Sequence, residues 1–181
     1  MLEKKLERGL VHVYTGDGKG KTTAAIGQAM RTIGRDYKVY MIQFLKGGDS
    51  GELHTAKKLF PQFQIFRFES IKKFFWTLND DEKQELKRNI QEAFRFAQKI
   101  VKEEECNMLI LDEIMGVLSN KLLTVEEVCQ FIIQKPAHME LILTGRNVPQ
   151  EIIDLADYVS EVKMIKHPYK QGIGAREGIE D

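Results

Sequence analysis

A strand-like run, Leu10-Val11-His12-Val13-Tyr14, leads straight into Thr15-Gly16-Asp17-Gly18-Lys19-Gly20-Lys21-Thr22-Thr23, and a helical pattern follows through Ala24-Ala25-Ile26. Strand, glycine-rich loop, Gly-Lys-Thr and helix together form the context of a phosphate-binding P-loop. The glycines let the backbone enter conformations closed to other residues. Successive N–H groups can then surround phosphate oxygens, and the helix N-terminus adds its positive dipole end. Lys21 supplies a full positive charge, and the Thr22 hydroxyl suits a magnesium ligand. The candidate nucleotide-binding set is therefore Gly16, Asp17, Gly18, Lys19, Gly20, Lys21, Thr22 and Thr23. The strict pattern would place one more glycine at the position of Thr15, and Lys19 puts an extra cation inside the loop.

The rest of the chain supplies the sheet such a loop needs. Lys38–Phe44, Phe63–Phe68, Met108–Leu111, Glu140–Arg146 and Asp157–Met164 read as strands. Gly34 is expected to cap the first helix, and Glu52–Phe60 to form a short helix stopped by Pro61. Asn79-Asp80-Asp81-Glu82 and Thr124-Val125-Glu126-Glu127 are capping boxes that open two more. The first of these runs to about Glu104, with Leu86, Ile90, Phe94, Ala97 and Val101 on its apolar face. A further short helix opens at Asn147-Val148-Pro149-Gln150. Strands alternating with helices over short connections predict α/β architecture, a mostly parallel sheet covered on both faces. Residues 1–181 read as a single P-loop domain, with a polar N-terminal arm at 1–9 and a glycine-containing tail at 165–181.

Met108-Leu109-Ile110-Leu111 is continuously apolar and ends in Asp112-Glu113. With a P-loop upstream, that pairing is the second nucleotide signature, in which the carboxylate holds magnesium directly or through water. Thr22, Asp112 and Glu113 are the candidate metal ligands. Gln43 and the loop Lys46-Gly47-Gly48-Asp49-Ser50-Gly51 fall at the C-terminal edge of the sheet, where ligands of open α/β sheets collect. Arg146 follows another strand end and is a candidate for phosphate or ribose. Phe74-Phe75-Trp76 precedes a helix cap; the residues alone favour a loop anchored to the core. His12 reads as a packed histidine within a strand and His54 as a surface residue.

Lysine plus arginine and aspartate plus glutamate number 27 each, so overall charge gives no reason to expect nucleic-acid binding. Cys106 and Cys129 are far apart in sequence and suit neither a disulfide framework nor a zinc site. The N-terminus is charged throughout, and no apolar run approaches the roughly 20 residues that span a bilayer. The expectation is a soluble cytoplasmic protein without membrane partners.

Gly16-Asp17-Gly18-Lys19-Gly20-Lys21-Thr22-Thr23-Ala24-Ala25 closely resembles the loop of the P-loop corrinoid adenosyltransferases, the ATP:cob(I)alamin type. The resemblance continues in Gln43-Phe44-Leu45-Lys46-Gly47, Leu111-Asp112-Glu113 and Leu143-Thr144-Gly145-Arg146. Further along it takes in 153–161, Lys166-His167-Pro168-Tyr169 and 175–180. It implies a RecA-like P-loop fold and transfer of the 5′-deoxyadenosyl group of ATP to the cobalt of a reduced corrinoid, with release of triphosphate. It also implies Mg2+ on the triphosphate, a reduced flavoprotein or similar electron donor, and a homodimer. By the same resemblance Lys21 is catalytic, together with Phe74 and Trp76, a Phe-x-Trp pair that packs beneath the corrin and displaces its lower ligand. The family often has glycine where Lys73 stands. His167, in the tail block, is a candidate to approach the corrin. Two other classes compete: a nucleoside kinase, and an ATPase switch in which Glu113 orients water.

Overall fold

The computed structural model describes residues 4–69 and 75–180. Its strands are β1 (Val11–Thr15), β2 (Val39–Gln43), β3 (Phe63–Phe66), β4 (Met108–Asp112), β5 (Glu140–Thr144) and β6 (Tyr158–Glu161). They form one six-stranded sheet in the order β3-β2-β4-β5-β1-β6, and every pairing is parallel. Because all strands run the same way, all their C-terminal ends lie on one edge. The phosphate loop leaves β1 on that edge, and β4 delivers Asp112 to it with β5 between them.

Period-2 alternation sends successive strand residues to opposite faces. Val39 and Met41 of β2, Met108 and Ile110 of β4, and Ile142 of β5 pack with α1 (Lys21–Ile33) and α2 (Gly51–Lys58). Tyr40, Ile42, Leu109, Leu111, Leu141 and Leu143 face the larger core. There they meet α3 (Asp80–Glu103), α4 (Ile114–Ser119), α5 (Val125–Ile133) and α6 (Gln150–Leu155). Covered on both faces, the central strands are apolar at nearly every position, as parallel sheets require.

Both capping boxes form. Asn79 accepts from the Glu82 N–H at 2.9 Å while Glu82 accepts from the Asn79 N–H at 3.0 Å, and Thr124 and Glu127 repeat the exchange. α3 then buries Leu86, Ile90, Phe94, Ala97 and Val101 as expected, with Ala93 and Ile100 beside them. Asn79→Ala should cost about 1 kcal/mol, because one orphan N–H of the first turn loses its acceptor. Thermal unfolding of the variant checks this.

Some local expectations shift. Gly34 does cap α1, but in right-handed backbone (φ −64°); the left-handed residue is Asp36. The last strand ends at Glu161, well before Met164, and its residues are exposed. His12 is half-buried, with Nε2 2.5 Å from Glu140 Oε1 and its ring stacked 4.6 Å from that of Tyr158. His54 is exposed beside Asp49, as expected of a surface residue. Cys106 and Cys129 are free, and burial pushes the Cys106 thiol up to about 12, so it stays protonated. Among the described residues no helix is long and apolar enough to cross a membrane.

Candidate active site

The phosphate loop is shaped by close packing on one side and open space on the other. The Gly18 N–H donates to the Val162 carbonyl at 2.7 Å, and a Cβ on Gly18 would lie 2.7 Å from that oxygen. At Gly20 nothing lies within 4 Å of such a Cβ; the requirement is φ +120°, which L side chains rarely adopt. α1 therefore starts at Lys21 with its first N–H groups lacking intrahelical acceptors. The Lys21 ammonium folds back on the loop, donating to the carbonyls of Gly16 at 2.7 Å and Gly18 at 2.8 Å. Burial, then the nearby Arg146 guanidinium, lowers its pKa.

Behind the loop, Asp112 is fully buried. Its Oδ1 accepts from Thr22 Oγ1 at 2.8 Å and from Thr144 Oγ1 at 2.7 Å. Its Oδ2 accepts from Lys46 Nζ at 2.7 Å and from Gln43 Nε2 at 3.2 Å. Strand order makes this junction: Gln43 is in register with Asp112 across β2–β4, and Thr144 ends the strand on the other side. The Gln43 amide also donates to Glu52 Oε1 at 3.0 Å, while its carbonyl accepts from Arg67 Nε at 2.8 Å. Arg67 continues to Ser50 Oγ at 2.7 Å and to the Gly48 carbonyl, tying the glycine loop to the end of β3.

Glu113 has a different setting. It turns through left-handed backbone (φ 64°), and its N–H donates to Thr144 Oγ1 at 2.9 Å. Its carboxyl is pushed up by burial and by the neighbouring Asp112. The sequence left the division of labour between the two acids open. The structure puts Asp112 behind the Thr22 and Lys46 side chains and Glu113 in the wall of the cleft.

That cleft holds about 800 Å³. Asp17 to Thr23 line it, together with Lys46, Glu52, Thr55, Glu113 and Arg146. Trp76, His167 and the tail residues Gly178, Ile179 and Glu180 complete it. Arg146 is exposed, 3.9 Å from Asp17, and Lys19 lies 3.6 Å from Glu180. Phe75 and Trp76 share a single 3-10 turn, Phe75–Thr77. Phe75 packs against the larger core, whereas Trp76 is 77% exposed and lines the cleft. The anchoring role expected from the residues alone thus falls to Phe75. Phe74 and Lys73 lie outside the described residues. Among those described, no group of three or more His, Cys, Asp or Glu side chains is arranged to hold a metal ion.

Thr144 and Arg67 were not named as site residues from the sequence, and Gln43 and Lys46 were named by their place at the sheet edge, although Gln43, Lys46 and Thr144 all fall in segments that carry the family resemblance. A polar residue closing an apolar strand, repeated in β2, β4 and β5, was the signal for Gln43, Asp112 and Thr144; Lys46 and Arg67 follow β2 and β3 and do not share it.

Sheet, loop and buried carboxylate define a P-loop nucleotide-binding α/β protein. Solved structures share this fold. The flagellar accessory protein FlaH from Methanocaldococcus jannaschii aligns with TM-score 0.56 at 13% identity, over 86% of this chain and 72% of that one. The KaiC-like protein PH0186 from Pyrococcus horikoshii OT3 aligns with TM-score 0.53 at 16% identity, over 90% and 76%. The particular family follows from sequence. The model of the ATP:corrinoid adenosyltransferase BtuR/CobO/CobP family matches residues 7–180, and the chain belongs to that family. It is 34% identical over 175 residues to the corrinoid adenosyltransferase of Escherichia coli K12, covering 96% of this chain and 86% of that protein. It is 35% identical over 186 residues to the corrinoid adenosyltransferase of a Sinorhizobium species, covering 99% and 84%.

Proposed function

We propose that this chain moves the 5′-deoxyadenosyl group of ATP onto the cobalt of a reduced corrinoid. The cobalt electron pair forms the bond to the 5′ carbon. The carbon–oxygen bond breaks, and its electron pair leaves with the triphosphate. The observation that carries this reading is one cleft lined by both the phosphate loop and Trp76. One substrate is an anion, held by Lys21, Lys19 and the first N–H groups of α1. The other offers a large apolar face, for which the exposed indole is suited.

The nucleophile comes from the corrinoid, so the protein needs no activated serine or cysteine. Its own task is to hold a departing triphosphate, which is stabilisation of developing charge by preorganised cations and N–H groups. Lys21 is the central group, and Arg146 stands over the same space. Thr22, Asp112 and Glu113 present only hard oxygen donors, which suits Mg2+ shared between one or two carboxylates and substrate phosphates better than a protein cage. Bound there, Mg2+ would offset the triphosphate charge. The same reading takes a reduced flavoprotein as electron donor, a homodimer as the working unit and the cytoplasm as its location.

The test is the product formed from protein, ATP, Mg2+ and chemically reduced cobalamin. Triphosphate and adenosylated corrinoid are expected in equal amounts. ADP with a phosphorylated acceptor would make the protein a kinase. ADP and phosphate released without corrinoid would make it an ATPase with Glu113 positioning water. Glu113→Gln should raise the Mg2+ concentration needed for half-maximal rate, measured by titrating Mg2+ at fixed ATP. An unchanged Mg2+ dependence would remove Glu113 from the metal's surroundings.

A further inference from the structure

The Asp112 carboxylate is complete without a metal. Thr22 and Thr144 saturate Oδ1, and Lys46 and Gln43 saturate Oδ2. One of these partners is unlike the others. Lys46 comes from the loop after β2, its side chain is 30% exposed, and its ammonium lies 2.7 Å from Asp112 Oδ2 and 3.5 Å from Thr22 Oγ1. Those two oxygens belong to the groups that would receive a divalent ion. A divalent ion held by these two groups would compete with the ammonium for the space beside their oxygens. Two cations cannot share it.

We propose that Lys46 is a tethered counter-ion that fills the divalent-cation position in the nucleotide-free protein and gives it up only when a metal–triphosphate complex enters. The identity of the triphosphate rests on the proposed ATP reading; the exchange of cations at Asp112 does not. Lysine suits this role because it carries a compact charge on a flexible four-carbon stem. Lys46 also lines the cleft, so its ammonium can leave Asp112 and reach a phosphate by rotation of its own side chain. Glu52 Oε1, 3.9 Å from the ammonium, lines the same cleft. Two consequences follow. Free divalent metal is kept off Asp112, so metal and nucleotide bind together. A buried carboxylate is also never left without a positive partner, which is the costly state for such a group.

The experiment uses Mn2+ as the probe, read by loss of the free-ion paramagnetic resonance signal, without ATP or corrinoid. Wild-type protein should take up Mn2+ weakly. Lys46→Met keeps the stem and removes the charge, and should bind Mn2+ at Asp112 ~10-fold or more tightly than wild type. Lys46→Arg keeps the charge and should behave as wild type. Removing Asp112 as well, in Lys46→Met with Asp112→Asn, should abolish the gain. Thermal unfolding gives an independent reading: Mn2+ should raise the melting temperature of Lys46→Met and leave wild type unmoved. Should Lys46→Met fail to fold, Lys46→Gln carries the same comparison. Equal Mn2+ affinity in wild type and a folded charge-removing variant overturns the proposal. If the gain appears while the product assay yields ADP, the cation exchange stands and the adenosyl-transfer reading falls.

Discussion

Lys21→Ala is expected to lower the rate of adenosyl transfer by roughly 10²-fold or more, as does loss of one preorganised donor at a developing charge elsewhere. The setting of Lys21 shows why. The ammonium is held by the carbonyls of Gly16 and Gly18, and its charge is disfavoured first by burial and then by Arg146. A group in that state gains strongly from an anion, and gains more as the anion's charge grows. In the proposed transfer, negative charge would accumulate on the triphosphate beside Lys21 as the carbon–oxygen bond breaks. The interaction is therefore stronger in the transition state than in the ground state, which is the condition for acceleration. The fold should survive, because the ammonium bonds to loop carbonyls and, among the described residues, neither core includes Lys21. Steady-state rates at saturating ATP, beside a thermal melt, separate the two effects. A folded variant with near-normal adenosylation would remove Lys21 from the chemistry.

The part of this site that could be read along the chain is the part made of neighbours. Gly16 to Thr23 are contiguous, so the loop and its lysine announce themselves, and Asp112 is marked by the apolar strand that precedes it. Both capping boxes are four-residue patterns and both form. α4 was not anticipated. Ile114-Met115-Gly116-Val117-Leu118 has hardly a polar side chain, so it shows no helical period to set against the strand before it. The Asp112 junction was illegible for another reason. Its partners Thr22, Gln43, Lys46 and Thr144 come from across the chain and meet only because β2 and β5 flank β4. Strand order is a tertiary fact. The alternation of strands and helices requires a parallel sheet without stating which strands touch. The choice between Asp112 and Glu113 belongs to the same level, since it depends on which residue turns left-handed at the strand end.

Trp76→Ala is expected to separate two starting states of the corrinoid. The indole is 77% exposed, an unusual setting for so large an apolar surface, and it faces the cleft that holds the phosphate loop. Its neighbour Phe75 packs on the core and Leu78 is buried just beyond, which anchors the turn. Trp76 is therefore placed to meet a substrate. Reduction of cob(II)alamin is difficult while the cobalt keeps a lower axial ligand. An aromatic surface under the corrin excludes both water and the nucleotide tail from that position. Loss of the ligand then costs less, and an electron can be accepted at an attainable potential. If Trp76 supplies that surface, as proposed, Trp76→Ala removes the ring and lets water return. ATP binding should be little changed, because Lys21 and the loop are untouched. Given cobalt already reduced to Co(I), the variant should keep a substantial share of wild-type activity. Starting from cob(II)alamin with a weak reductant, it should be nearly inactive. Absorption spectra should show four-coordinate Co(II) in the wild type with ATP and much less in the variant. If the variant forms that species normally and works equally well from both states, the indole is not the corrin's lower neighbour, and another wall of the cleft must hold the ring.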